Sequence, residues 1–186
     1  MKTVANSYIL ASIIAISALF GTAQDMRTDK VIASEFENRV REYTQRREAL
    51  ESELPQLSKQ ATAEEIAAHK SALLNKVLAD RKGARRGYMF TPEAEKLIRS
   101  IVIGQYPARD RMELRKELAE AENKTVAVKV NAVYPEAAEL VEMPPTLLLA
   151  LPQLPKQVRY RFVGTSLLIV DRESHLIVDY MTNALP

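Results

Sequence analysis

The change of patterning near Asn123 constrains this chain more than any single motif. Before it, charged residues alternate with Leu, Ile and Ala at helical spacing; after it, Val, Leu, Tyr and Phe gather in short runs broken by prolines. Helical and strand patterns are therefore segregated along the chain. That order predicts an α+β fold, with helices packed on or beside one face of a largely antiparallel sheet. No internal repeat, heptad array or low-complexity tract is present, which argues against a solenoid or a long coiled coil.

Four helices are expected, over 34–54, 62–83, 92–103 and 108–122. Ser34 and Glu37 form a capping box, in which hydroxyl and carboxylate satisfy free amides at a helix start. Phe36, Val40, Tyr43, Leu50 and Leu54 then fall on one stripe, and Arg47 is the single stripe position that is not apolar. Pro55 ends this helix. Thr62 and Glu65 make a second capping box, followed by an apolar face of Ile66, Leu73, Leu74, Val77 and Leu78 running to about Gly83. Thr91 caps a third helix with Pro92 at its first position, and Leu97, Ile98, Ile101 and Val102 point inward before Gly104. The fourth follows Pro107, carries Met112, Leu114, Leu118 and Ala121, and places Asn123 at its C-terminal cap.

Five strands are expected, over 125–134, 146–151, 158–163, 167–170 and 176–180. Val126, Val128 and Val130 alternate with more exposed types. Prolines at 144, 145, 152 and 155 bracket the apolar run 146–151, which reads as a short extended segment. The last three form a meander, turning at Gly164 and across Asp171–His175.

The N-terminus has the pattern of a secretory signal peptide over residues 1–23. Lys2 is the only charge before Asp25, an apolar run spans Tyr8–Phe20, and Gly21 and Ala23 satisfy the small-x-small requirement for cleavage after Ala23. The alternative is an uncleaved anchor spanning residues 3–24. Cleavage leaves a single domain over 24–186, with a helical part to 123 and a β part from 124. It also lowers the formal net charge of +2 by one, so bulk charge suggests no nucleic-acid partner. With no Cys, the chain has neither a disulfide framework nor a Cys-type zinc site.

The residues exclude most standard catalytic constellations. There is no Cys nucleophile, no HExxH, no GxSxG, no phosphate-binding glycine loop, and only two His. No cofactor is expected. His69, on the second helix, reads as structural, because no carboxylate partner is implied near it in sequence. Asp171, Glu173, His175 and Asp179 gather around a turn and offer oxygen and imidazole ligands to a metal, although Asp, Glu and Ser are also ordinary turn residues. Strand alternation places Asp171 and Asp179 on solvent faces. Arg81, Lys82, Arg85 and Arg86 could hold an anionic partner, or could simply oppose the negative end of a helix dipole while Tyr88 and Phe90 enter the core. Arg159 and Arg161 could be solvated, meet a partner's carboxylates, or pair across strands with Asp179 or Glu173.

Two groups of segments carry a resemblance. Leu154–Gly164 (LPKQVRYRFVG), Leu167–Asp171 (LLIVD) and Leu176–Tyr180 (LIVDY) are similar to the ending of a group of uncharacterised exported bacterial proteins. Phe36–Val40 with Tyr43, and Phe90–Glu93, resemble the helical part of the same group. The resemblance implies bacterial origin and export, and brings no activity. The meander also resembles the C-terminal hairpin of a periplasmic nickel and cobalt homeostasis family, whose His-rich character is missing here, so no ligand set is carried over.

Together these readings lead to an exported, periplasmic, non-enzymatic binding or interaction module. Its partner would be an anionic envelope component or another periplasmic protein, with membrane contact only if residues 3–24 are retained. The alternatives are an envelope-anchored accessory protein and a hydrolase using paired carboxylates, which would need acids distant in sequence to converge in a cleft.

Overall fold

The structure is a computed structural model that describes residues 9–121, 126–135 and 143–185, the side chains of 9–25, 108 and 118–121 not among them. It contains α1 (Ile9–Ser52), α2 (Ala63–Asp80), α3 (Pro92–Gln105), α4 (Ala108–Ala121), α5 (Pro145–Ala150), β1 (Val158–Val163), β2 (Ser166–Asp171) and β3 (Ile177–Met181). The α+β expectation holds, with the helices first and an antiparallel meander β1-β2-β3 last. Among the described residues, no helix is long and apolar enough to cross a membrane. The side chains of the 1–23 segment and the Asn123 cap lie outside the described residues.

The cap at Thr62 forms as its sequence implies. Its side chain accepts from the Glu65 amide while the Glu65 carboxylate accepts from the Thr62 amide. Thr91 caps α3 with its side chain alone, which accepts from the Ala94 amide, with Pro92 at the first turn. The Ser34–Glu37 box does not start a helix; both residues lie inside α1. The helical stripe already begins at Ile32, which packs against the core, so nothing breaks the helix before Ser34.

Two strand expectations are also corrected. Residues 146–151 lie in or directly after the short helix α5, where Leu147 and Leu151 are buried four residues apart while Leu149 is 81 % exposed. Pro144 and Pro145 suit a helix start as well as an extended flank, and an apolar run this short carries no period of its own. Residues 126–134 make only one isolated bridge, Val133 to Leu176, because the chain turns at Lys129–Ala132 with Asn131 in the left-handed region (φ 66). This segment still runs along β3, through Asn131 N–H to Ile177 O and Tyr134 N–H to His175 O.

β2 is buried on both faces, which explains its continuous apolar run Leu167–Val170. Leu167 and Ile169 join the helices' core with Phe36, Val40, Leu73, Val77, Phe90, Ile98 and Leu147. Leu168 and Val170 pack on the opposite face under Tyr134, Val126 and Val128. In α4 only Leu114 is buried among the described side chains of the expected stripe, and Met112 is 70 % exposed; two residues apart, they cannot share a helical face.

A β-bulge between the Ile169 and Val170 pairings inserts Val178 as an extra residue in β3. The insertion shifts the alternation of the strand. Asp179 therefore faces the helices at 1 % exposure, and Asp171, in phase with Leu167 and Ile169, is wholly buried. Neither aspartate lies on the solvent face expected for it: Asp171 follows the buried phase of β2, and Asp179 is turned inward by the bulge.

Candidate functional site

The position that interrupted the apolar stripe of α1 organises the polar interior. Tyr43, Arg47 and Glu51 stand at intervals of four and so share one face of α1. Arg47, 5 % exposed, reaches three carboxylates: Nε donates to Asp171 Oδ2 at 3.3 Å, one terminal nitrogen to Glu51 Oε2 and the other to Glu173 Oε2. Burial opposes the charge on Arg47, but the attraction of Asp171, Glu51 and Glu173 prevails and holds the guanidinium above its ordinary range.

Asp171 is the innermost member. Its Oδ2 also accepts from the Tyr43 hydroxyl at 2.9 Å, while Oδ1 accepts from the amides of Glu173 and Ser174 at 3.0 and 2.9 Å. The side chain thereby shapes the β2–β3 turn and presents Glu173 toward α1. Burial, reinforced by the Asp171 charge, pushes the Tyr43 hydroxyl well above the usual tyrosine range, so it remains a donor. Arg81 lies over the Tyr43 ring at 5.1 Å.

His69 of α2 completes the group. Its Nε2 is 3.9 Å from Glu51 Oε1 and 3.9 Å from Glu173 Oε1, and its side chain is 10 % exposed. The three ligand atoms all lie within 4.8 Å of one another. Each glutamate thus turns one oxygen to Arg47 and the other toward the imidazole. The cluster opens on a depression of about 430 Å³ that Glu48, Leu54, Gln56 and Leu57 also line. An apolar depression of similar size, with Leu54, Ala61, Ala68 and Ala72 in its walls, meets it at His69.

The residues singled out from sequence are distributed differently. Of Asp171, Glu173, His175 and Asp179, only Asp171 and Glu173 meet Arg47. Asp179 accepts from the amides of Gly87, Met89, Phe90 and Tyr180 at 2.8–3.2 Å and anchors the loop between α2 and α3. Gly87, at φ 92, lets that loop fold tightly onto the carboxylate. His175 is left-handed (φ 54) and gives its carbonyl to the Tyr134 amide.

The basic stretch is divided too. Arg81 donates to Asn131 Oδ1 and Val178 O, and Arg86 to Tyr180 O, Thr182 Oγ1 and Glu95, so both tie the helices to β3. Lys82 and Arg85 are exposed. Tyr88 stays 56 % exposed, donating to Glu42, while Phe90 enters the core against Phe36. With Glu173 held by Arg47 and Asp179 by backbone amides, neither is placed as the cross-strand partner considered for Arg159 and Arg161.

Sequence reasoning missed Glu51 and the company of His69. The one usable signal was Arg47 on an apolar stripe, since a buried guanidinium demands carboxylates from elsewhere in the fold. In class, the molecule is a helix-on-meander α+β module with an acid–imidazole cluster at the junction of α1, α2 and the β2–β3 turn. No known protein family, curated protein or solved structure matches the chain.

Proposed function

We propose that this chain is an exported bacterial binding module, not a catalyst, and that its ligand is cationic. The observation that carries this reading is the convergence of Glu51, Glu173 and His69 on one open depression, with Glu48 at its wall. The immediate charges are three carboxylates against one guanidinium, which leaves the cluster negative. A cation entering the depression would find unshared carboxylate oxygens already oriented, at little further ordering cost.

Two carboxylates at one depression are also what a carboxylate-based hydrolase would use. Both, however, already commit one oxygen to an ion pair with Arg47. Binding is the better use of this arrangement.

Two measurements test the proposal. Titrating the isotope-labelled protein with spermidine should move the backbone resonances of Glu51, His69 and Glu173, while inorganic phosphate should leave them in place. A response confined to Lys82 and Arg85 with phosphate would return the binding surface to the basic stretch and sink the cationic reading. For export, the intact mass of protein recovered from the periplasm should correspond to a chain beginning at Gln24. A mass retaining residues 3–24 would establish the anchored form instead.

A further inference from the structure

We infer that Glu51, His69 and Glu173 form a binding site for one divalent first-row transition-metal ion. The inference rests on the cationic-ligand reading and narrows it to a metal.

Distance is the first argument. At 3.9 Å, His69 Nε2 is too far from either glutamate oxygen for a hydrogen bond, which needs about 2.7–3.2 Å. Two ligands of a tetrahedral ion, each about 2.1 Å from it, stand about 3.4 Å apart. The imidazole-to-carboxylate distances need to shorten by about 0.5 Å and the separation of the two glutamate oxygens, which lies within 4.8 Å, by up to about 1.4 Å; the glutamate side chains, 32 % and 29 % exposed, have room to turn that far.

The placement of His69 agrees with this. Its side chain is 10 % exposed and sets Nε2 between Glu51 Oε1 and Glu173 Oε1, so the imidazole nitrogen already faces the space that an ion held by the two carboxylates would occupy.

Charge and support agree with this assignment. One guanidinium against the carboxylates of Asp171, Glu51 and Glu173 leaves two negative charges, those a divalent cation cancels. Arg47 holds the second oxygen of both glutamates, the outer support that fixes ligand orientation in metal sites. One imidazole with two carboxylates favours a transition ion over Mg²⁺ or Ca²⁺, which prefer oxygen alone. Three protein ligands leave a coordination position facing the depression. Because the ligands come from α1, α2 and the β2–β3 turn, the ion would clamp helices to sheet.

Calorimetric titration of the metal-free protein with Zn²⁺ should give one site per chain, with Mg²⁺ failing to compete. His69→Gln should weaken Zn²⁺ at least tenfold with an unchanged circular dichroism spectrum, and Glu173→Gln should weaken it as well. His175→Gln, which alters the only other imidazole, should leave affinity unchanged. With Co²⁺ as a spectroscopic probe, visible absorption bands should appear and should be lost in His69→Gln. Zn²⁺ binding that survives His69→Gln, that disappears with His175→Gln, or that is absent at 1 mM would each overturn the assignment. If Zn²⁺ fails while spermidine still shifts Glu51 and Glu173, only the metal inference falls; if neither acts, both readings fall.

Discussion

Replacing Arg47 by Met keeps the aliphatic stem that packs in α1 and removes the guanidinium. Glu51 and Glu173 remain about 30 % exposed and can rehydrate, so losing their pairs costs about 0–1 kcal/mol each. Asp171 decides the outcome. Its side chain is 0 % exposed, and without Arg47 it retains only the Tyr43 hydroxyl and two turn amides. Breaking a buried pair by removing one partner costs about 3–5 kcal/mol; the three surviving hydrogen bonds place the expected loss near the lower end, at about 3 kcal/mol. In a domain of this size that lowers Tm by about 6–12 °C. Equilibrium urea unfolding at pH 7, followed by far-UV circular dichroism, reads the loss directly. The double variant Arg47→Met, Asp171→Asn removes the stranded charge and should recover about 1–2 kcal/mol of it. A loss below about 1 kcal/mol for Arg47→Met, or strictly additive single effects, would refute the view that Arg47 compensates Asp171.

Tyr43 and Tyr160 are both held well above the ordinary tyrosine range, by burial first and then by Asp171 and Glu37 respectively. The folded state keeps these protons after the unfolded chain releases them, so their contribution is whole below about pH 10 and falls as pH rises beyond it. Urea unfolding from pH 8 to 11 should show that decline, and Tyr160→Phe should reduce its slope; an unchanged slope contradicts the assignment. Asp179→Ala strips three loop amides of their acceptor, with an expected cost of about 2–4 kcal/mol and faster hydrogen exchange at Met89 and Phe90. Protection left intact at those amides would show that the carboxylate does not anchor the loop. In α5, Leu147→Ala should cost about 2–5 kcal/mol while Leu149→Glu stays within about 0.5 kcal/mol. Equal costs would fit an extended segment better than a helix.

Local chemistry made much of the architecture readable. Thr62 with Glu65, and Thr91 with Pro92, specify helix starts through amides that lie within four residues, and the alternation in Val158–Phe162 specifies a strand with one buried face. Such signals need no distant partner. The same reasoning failed at Ser34, where a cap pattern lies within a stripe that starts earlier, and at 146–151, where a short apolar run fits either period.

Sequence by itself determined the α+β order, the meander and the anomaly of a guanidinium on an apolar stripe. Tertiary structure alone decided what that guanidinium does. Arg47 and Glu173 are 126 positions apart, and no local pattern encodes their meeting. The face of Asp179 was equally out of reach: one inserted residue in β3 reverses the parity of every position beyond it and turns Asp179 inward, whereas Asp171 simply keeps the phase of Leu167 and Ile169 in β2. Glu51 and His69 look like ordinary helix-surface residues in sequence, and Glu173, though a candidate ligand there, is grouped with the wrong partners. Only the packing of α1, α2 and the β2–β3 turn brings their ligand atoms within 4.8 Å, because side chains from separate segments converge only after the core has set the distances between their backbones.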